Sequence, residues 1–263
     1  MAYVTLTLEI RDSVATLTLN RPEKRNALSP TMMEELQSAL DEIGSGAARV
    51  VILTGEGKAF CAGMDLAALK ALAAEGSGSS GLSGENARAV AALFRRLYEF
   101  PKPLVAAING HAIAGGCGIA TLCDFSLAVP EAKLGFTEVL VGFVPAFVTV
   151  FLARQIGERR ARDLLLTGRI LTAEDACKFG LVNEVIPAER LGDRAREVAG
   201  QLLAASPTSI LYTKRLFADL ARAQLDRELE VAIDASTRIR STRDFREGLS
   251  AFLEKRRPRW TGG

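Results

Sequence analysis

Apolar and polar residues alternate along Val4–Ile10 and again along Val14–Leu19, on either side of Arg11-Asp12-Ser13. A period of two turns one face of each segment to the core and the other to water, so the chain opens as a half-buried hairpin. Pro30 then falls where a first helical turn tolerates proline, and Thr31 with Glu34 offers a capping box. Met33, Leu36, Leu40 and Ile43 follow at helical spacing, up to Gly44. Arg49–Thr54 and Leu104–Ile108 are short unbroken apolar runs bounded by turn residues, the pattern of strands buried on both faces. Helical patterns lie between and after them, which makes crossover connections and parallel neighbours the expected topology and α/β the fold class. The run Glu75–Gly84 is too rich in glycine and serine to bury and is expected as a mobile surface loop.

From Ala146 onward almost every segment reads as helix: Ala146–Ile156, Glu158–Thr167, Ala173–Phe179, Arg190–Ala205, Thr208–Ala221, Leu225–Ile239 and Asp244–Lys255. The last three are amphipathic and have no sheet to cover them, so their apolar stripes need another surface. This predicts a core over residues 1–200 and a helical region over 201–263 used in self-association. No repeat at solenoid period is present.

The 263 residues suffice for one large core. Thirty-three basic residues against 31 acidic ones, spread along the chain, leave a net charge of +2. That is too weak and too mixed a field to attract nucleic acid or an anionic membrane. Cys61, Cys117, Cys123 and Cys177 form no CxxC pair, and with a single histidine no zinc cluster is expected; they read as buried thiols in a reducing compartment. The start of the chain alternates like a strand and lacks the pattern of a signal peptide. The longest charge-free runs, Leu104–Cys123 and Val139–Ala153, are interrupted by polar residues and glycines or by Pro145, and neither reads as a membrane span. The expectation is a cytoplasmic protein.

Two loops could carry chemistry. Gly55–Leu66 follows a buried strand, at the end where open α/β sheets place ligands, and the small Ala62 and Gly63 let a ligand approach the backbone and leave the Met64 amide free to donate. An ordinary strand-to-helix turn would read the same way. Leu104–Asp124 is again a buried strand, a turn at Asn109-Gly110 and a small-residue helix, with Gly115-Gly116 in the first turn, where unpaired amides and the macrodipole would stabilise an oxyanion. Close helix packing also uses glycines.

Taken together, GKAFCAGMDL, PKPLVAAINGHAIAGGCGIATLCD, AKLGFTEVLVGFVPA, LLLTGRILTAEDACKFGLVNEVIP and EGLSAFLEKRRPRW resemble the crotonase superfamily (enoyl-CoA hydratase/isomerase family) from about Val4 to Trp260. The resemblance implies a spiral α/β core of ββα turns and a C-terminal helical region that forms a homotrimer or a dimer of trimers. It also implies an acyl-CoA thioester substrate that brings its own coenzyme A, with no further cofactor and no metal. By the same resemblance the amides of Met64 and Gly115 hold the thioester oxygen and Glu138 is the acid/base. Arg25, Ala27, Ala62, Asp65 and Leu66 lie along the coenzyme A path, and Phe252 and Lys255 approach it from the C-terminal region. Two positioned amides make an α-proton removable by stabilising the enolate, and a carboxyl desolvated among Phe136, Val139, Leu140 and Val141 has its pKa raised towards the useful range.

One departure stands out: Gly118 occupies the position of the second glutamate of two-glutamate hydratases. A single carboxyl suits an isomerase that moves a double bond. Yet FTEVLVGFVPAFVTVFLARQIGERRARDLLLTG and RIRSTRDFREGLSAFLEKRRPRW resemble a bacterial branch assigned as enoyl-CoA or methylglutaconyl-CoA hydratases, whose members can lack that glutamate. Hydratase stands first, isomerase second, and an inactive CoA- or RNA-binding relative third. His111 reads as structural, Cys61 and Cys117 as small buried thiols, Asp124 as a backbone or loop ligand, and the tail Lys255–Arg259 as a solvated helix end.

Overall fold

The structure is a computed structural model that describes residues 3–69 and 80–263. Strands β1 (Leu6–Arg11) and β2 (Val14–Leu19) form the expected hairpin, joined by Asp12 and Ser13, both at positive φ. Such a two-residue turn matches the natural twist of the strands it joins. From β2 the large sheet grows in parallel through β3 (Val50–Gly55), β5 (Leu104–Ile108), β7 (Phe125–Ala128) and β10 (Glu184–Val185), in the order β1-β2-β3-β5-β7-β10.

A second sheet of four strands, β4 (Ala59–Cys61), β6 (His111–Ile113), β8 (Lys133–Gly135) and β9 (Ile170–Thr172), runs in that order. Each turn of the chain therefore lays one strand in the large sheet and the next in the small one: β3 then β4, β5 then β6, β7 then β8. This is the α/β spiral expected. The short strands of the second sheet escape hydrophobic periodicity because three residues cannot display a period.

Helices cover the sheets: α1 (Pro30–Ser45), α2 (Ser80–Tyr98), α3 (Gly115–Leu122), α4 (Ala146–Ile156), α5 (Glu158–Thr167), α6 (Ala173–Phe179), α7 (Leu191–Ala204), α8 (Pro207–Ile239) and α9 (Arg243–Leu253). The capping box at Thr31 and Glu34 is not formed. Ser29 is the cap, two residues before Thr31, its side chain accepting from the Met32 amide, because Pro30 takes the first helical position. Of the predicted loop Glu75–Gly84, residues 75–79 lie outside the described residues, while residues 80–84 open α2. There the helical tendency of the following residues outweighs the roughly 1 kcal/mol that each glycine costs.

The two helices expected over Thr208–Ala221 and Leu225–Ile239 are one, α8. Arg222, Ala223 and Gln224 are all good helix formers and nothing breaks the run. At 33 residues α8 spans roughly 50 Å. It packs against α2 and α4, burying Leu225, Leu229 and Ala232. Tyr212, Leu216 and Leu220 recur every fourth residue on an uncovered face, with Phe217 beside them. Among the described residues no helix is long and apolar enough to cross a membrane.

Candidate active site

The first loop is built by close approach of three pieces of backbone. Gly55 ends β3 where a β carbon would fall 2.5 Å from the Ala59 carbonyl oxygen and 2.8 Å from Asn26 Nδ2. Asn26 is fully buried and stands at φ 55°, next to Arg25 at φ 51°. Its Nδ2 donates to the carbonyls of Glu56 (2.9 Å) and Ala59 (2.7 Å), and its Oδ1 accepts from the Arg21 amide (2.9 Å). All this fixes the segment 21–28 against β4. Leu28 then donates to the Gly63 carbonyl (2.8 Å) and accepts from the Asp65 amide (3.0 Å). These two bonds straddle Met64, so the Met64 N–H points away from Leu28. Asp65 closes the loop: its carboxylate accepts from Arg21 Nη2 (3.2 Å) and caps the helical residues 66–69 through the amides of Ala67 and Ala68.

The second loop leaves β6 at Ala114, whose φ of 51° with ψ of −127° is a conformation an alanine rarely adopts. It is held by a 2.7 Å bond from its amide to the Gly135 carbonyl, and its own carbonyl takes the first helical bond, from Gly118 (3.0 Å). The amides of Gly115, Gly116 and Cys117 therefore have no carbonyl within the helix to bind. The two loops touch backbone to backbone. A β carbon on Gly63 would lie 2.9 Å from the Ile113 carbonyl and 3.4 Å from the Gly115 nitrogen, and one on Gly116 would collide with the Cys61 carbonyl. Asn109 ties the loops again, accepting from Gly55 (3.1 Å) and donating to Gly57 (2.9 Å).

Both loops open on one cavity of about 460 Å³. Glu138 lines it from a single 3₁₀ turn, Glu138–Val141. The residue is only 9% exposed, and its Oε2 is buried with no hydrogen-bond partner among the described residues. Burial pushes its carboxyl up to about 7. Phe136 is fully buried, Leu140 is half exposed but lines the cavity with Val141, and Phe143, Val144, Phe147 and Phe245 share the same apolar wall. Helix α9 packs directly on this turn. A β carbon on Gly142 or on Gly248 would strike the backbone of the other segment, at Asp244 and Val141 respectively.

Of the residues singled out from the sequence, Arg25, Ala62, Met64, Leu66, Gly115, Glu138 and Phe252 line this cavity. Ala27, Asp65 and Lys255 do not: Ala27 is buried, Asp65 is engaged with Arg21, and Lys255 is exposed just beyond α9. His111 accepts from the Lys133 amide (3.2 Å), and Asp124 accepts from the Leu104 amide (2.8 Å) and pairs with Lys214 (2.5 Å). Burial pushes the Cys61 thiol up to about 12 and the Cys117 thiol further, so neither supplies a thiolate at neutral pH. Among the described residues no group of three or more His, Cys, Asp or Glu is placed to hold a metal ion.

Sequence reasoning missed Asn26, Ala114, Phe94 and Arg240. Arg240 lines the cavity with its guanidinium over the Phe143 ring (5.5 Å), donates to Asn86 (2.9 Å), and is pulled down to about 10 by burial. Its position at the end of the long α8 gave no local signal. Only Asn26 stood in a recognisable context, an Arg-Asn pair before a helix start, and that pattern is too common to single it out. Chemically, two amide donors and one protonatable carboxyl on one apolar cavity can hold a carbonyl oxygen and exchange a proton with a neighbouring carbon.

The family model described as enoyl-CoA hydratase/isomerase matches residues 9–263. A relative in Thermus thermophilus, provisionally named enoyl-CoA hydratase, is 44% identical over 251 residues, covering 94% of this chain and 97% of its own. The crotonyl-CoA hydratase of Syntrophomonas wolfei is 35% identical, with 98% of each chain covered. The crystal structure of an enoyl-CoA hydratase from Mycobacterium avium superposes with a TM-score of 0.85 at 32% identity, covering 98% of this chain and 99% of that one.

Two outcomes follow from the geometry. Asn26→Ala strands the carbonyls of Glu56 and Ala59 and is expected to cost about 2–3 kcal/mol in urea denaturation; a loss below about 0.5 kcal/mol would mean that Asn26 does not hold the loop. The second concerns pH. Between about 4.5 and 7 an unfolded chain has lost the Glu138 proton that the folded chain keeps, so stability falls as pH rises through that window and is level above it. Glu138→Gln removes this slope, and its stability relative to the parent should be about 3 kcal/mol higher at pH 8 than at pH 4. A difference that does not change with pH would contradict the buried carboxyl.

Proposed function

Because the chain belongs to the enoyl-CoA hydratase/isomerase family, we propose that it adds water reversibly across the 2,3 double bond of an enoyl-CoA thioester, with Glu138 as its acid/base. The observation that carries this reading is the buried, unpartnered Oε2 of Glu138 in the same cavity as Met64 and Gly115. In the forward direction the Glu138 carboxylate takes a proton from water as the water oxygen bonds to C3. The π electrons move to the thioester oxygen, where the Met64 and Gly115 amides stabilise the enolate. Glu138 then returns the proton to C2, and one water has been added. Each amide donor is worth about 2.7–4 kcal/mol in the transition state.

In this reading Arg25, Ala62 and Leu66 lie beside the bound coenzyme A, which enters and leaves with the acyl group, so no separate cofactor is needed. Asp65 and Ala27 act by holding that segment, and Phe252 and Lys255 approach from the C-terminal side. The uncovered stripe Tyr212–Leu220 fits self-association as a homotrimer or a dimer of trimers.

A second reading has a specific observation in its favour. Glu138 is the one acid among the described cavity-lining residues, and hydrocarbon from Phe94 and Val148 faces Gly118. A single carboxyl is enough for an isomerase, which removes a proton from C2 of a 3-enoyl thioester and returns it to C4. The names of the relatives favour hydration. An inactive CoA- or RNA-binding role fits poorly with an open cavity that holds a buried Glu138.

Glu138→Gln should lower turnover by about 10³-fold while changing the Kd for CoA by less than about threefold. In the parent, kcat/KM should rise with pH through about 7 and level above it, as the carboxylate form accumulates. Crotonyl-CoA that gains one water supports hydration, whereas an isobaric shift of a 3-enoyl-CoA alone would replace it with isomerisation. Normal turnover by the glutamine variant would remove Glu138 from the mechanism.

A further inference from the structure

Gly118 lies in the middle of α3, fully buried, and its Cα faces the ring of Phe94. A β carbon at this position would stand 2.8 and 2.9 Å from the ring atoms Cε1 and Cζ and 3.2 Å from Val148 Cγ2. The far edge of the ring thus uses the space that a side chain at residue 118 would need. Phe94 is only 2% exposed, yet it lines the cavity together with Val90, one helical turn before it, and with Phe147 and Val148 of α4. The ring is wedged on several sides. Its centroid lies 6.2 Å from that of Phe147 and 6.3 Å from that of Phe151, and Tyr98 packs on Phe151 at 5.2 Å.

A ring so confined is a fixed wall of the cavity, since swinging it aside would displace α3 or α4. Phe151, which packs on the ring, is not itself part of the cavity wall, so the volume released by shortening Phe94 is bounded by aromatic surface and suits an alkyl tail. A β carbon at residue 118 acts in the opposite sense, because the ring must yield towards the cavity.

We propose that Phe94 and Gly118 form one device that sets how long an acyl chain the cavity accepts: the ring is the end wall, and the glycine is what lets the ring sit that deep. The proposal rests on the acyl-thioester reading above. Shortening Phe94 lengthens the accepted chain, adding a methyl at Gly118 shortens it, and the two changes together compensate. Such compensation is the mark of residues coupled through shared space.

The test is a binding ladder. The dissociation constants of saturated acyl-CoAs from four to twelve carbons are measured by calorimetry for the full chain, for Phe94→Leu, Phe94→Ala and Gly118→Ala, and for the double variant Gly118→Ala/Phe94→Leu. The kcat/KM on 2-enoyl-CoAs of the same lengths is measured alongside. One methylene in an apolar pocket is worth about tenfold or more. The preference for eight carbons over four should therefore rise at least about tenfold in both Phe94 variants, fall in Gly118→Ala, and return towards the parent in the double variant. An unchanged preference in Phe94→Leu, with its circular dichroism and CoA affinity retained, overturns the proposal, and this milder variant decides the matter if Phe94→Ala does not fold. The ladder needs no turnover: enoyl thioesters that bind but never react would overturn the hydratase reading and leave Phe94 to be judged on binding alone. If the parent binds no acyl-CoA, both readings fall.

Discussion

Two strand-end loops in this protein meet with no side chain between them, and the rest of the site depends on that contact. Gly63 lies against Ile113 and Gly115, and Gly116 lies against the carbonyl of Cys61. Only glycine lets peptide planes come this close, and only at this closeness do the neighbouring amides of Met64 and Gly115 open on one cavity. Holding backbone against backbone leaves polar groups to satisfy. Asn109 meets that need across the gap with both ends of its amide, and Asn26, from the segment before α1, satisfies the carbonyls of Glu56 and Ala59 in the first loop. The backward twist at Ala114 is the local cost, and it is offset by the bonds on either side of it.

The carboxyl end of the site depends on a different kind of packing. The Glu138 turn is too short to bury itself, and its cover comes from α9, more than a hundred residues later in the chain. Gly142 and Gly248 let the two segments meet, and Phe245 and Phe252 of the same helix face the cavity. The C-terminal helices therefore do more than stand beside the core: α9 supplies part of the low-dielectric wall that holds a proton on Glu138 near neutral pH.

How far the sequence could be read follows from the range of each signal. Unbroken apolar runs such as Leu104–Ile108 revealed the parallel strands, and alternation revealed the hairpin, because both patterns are local and longer than one period. Strands of three residues have no period, so the second sheet was legible only through resemblance to known proteins. The cap of α1 was misplaced by two residues because Thr31 and Glu34 mimic a capping box, whereas the neighbouring proline decides in favour of Ser29. Glu138 was identified by resemblance. Its flanking apolar residues gave the right direction for its pKa, whereas the distant residues that complete the apolar wall, Phe147 and Phe245 among them, left no trace near it in the sequence. Phe94 and Arg240 join the site only through tertiary packing, and no window of sequence around either one says so.

The facing pair Gly118 and Phe94 also governs how a second acid could be accommodated. A glutamate introduced at residue 118 alone would meet the ring, and a smaller residue at 94 alone would give up the ring's packing on Phe147 and Phe151. Neither single step towards a two-carboxylate site is open without loss. A second carboxylate at this place is therefore a paired change, in which room at residue 94 has to come together with the new side chain at 118.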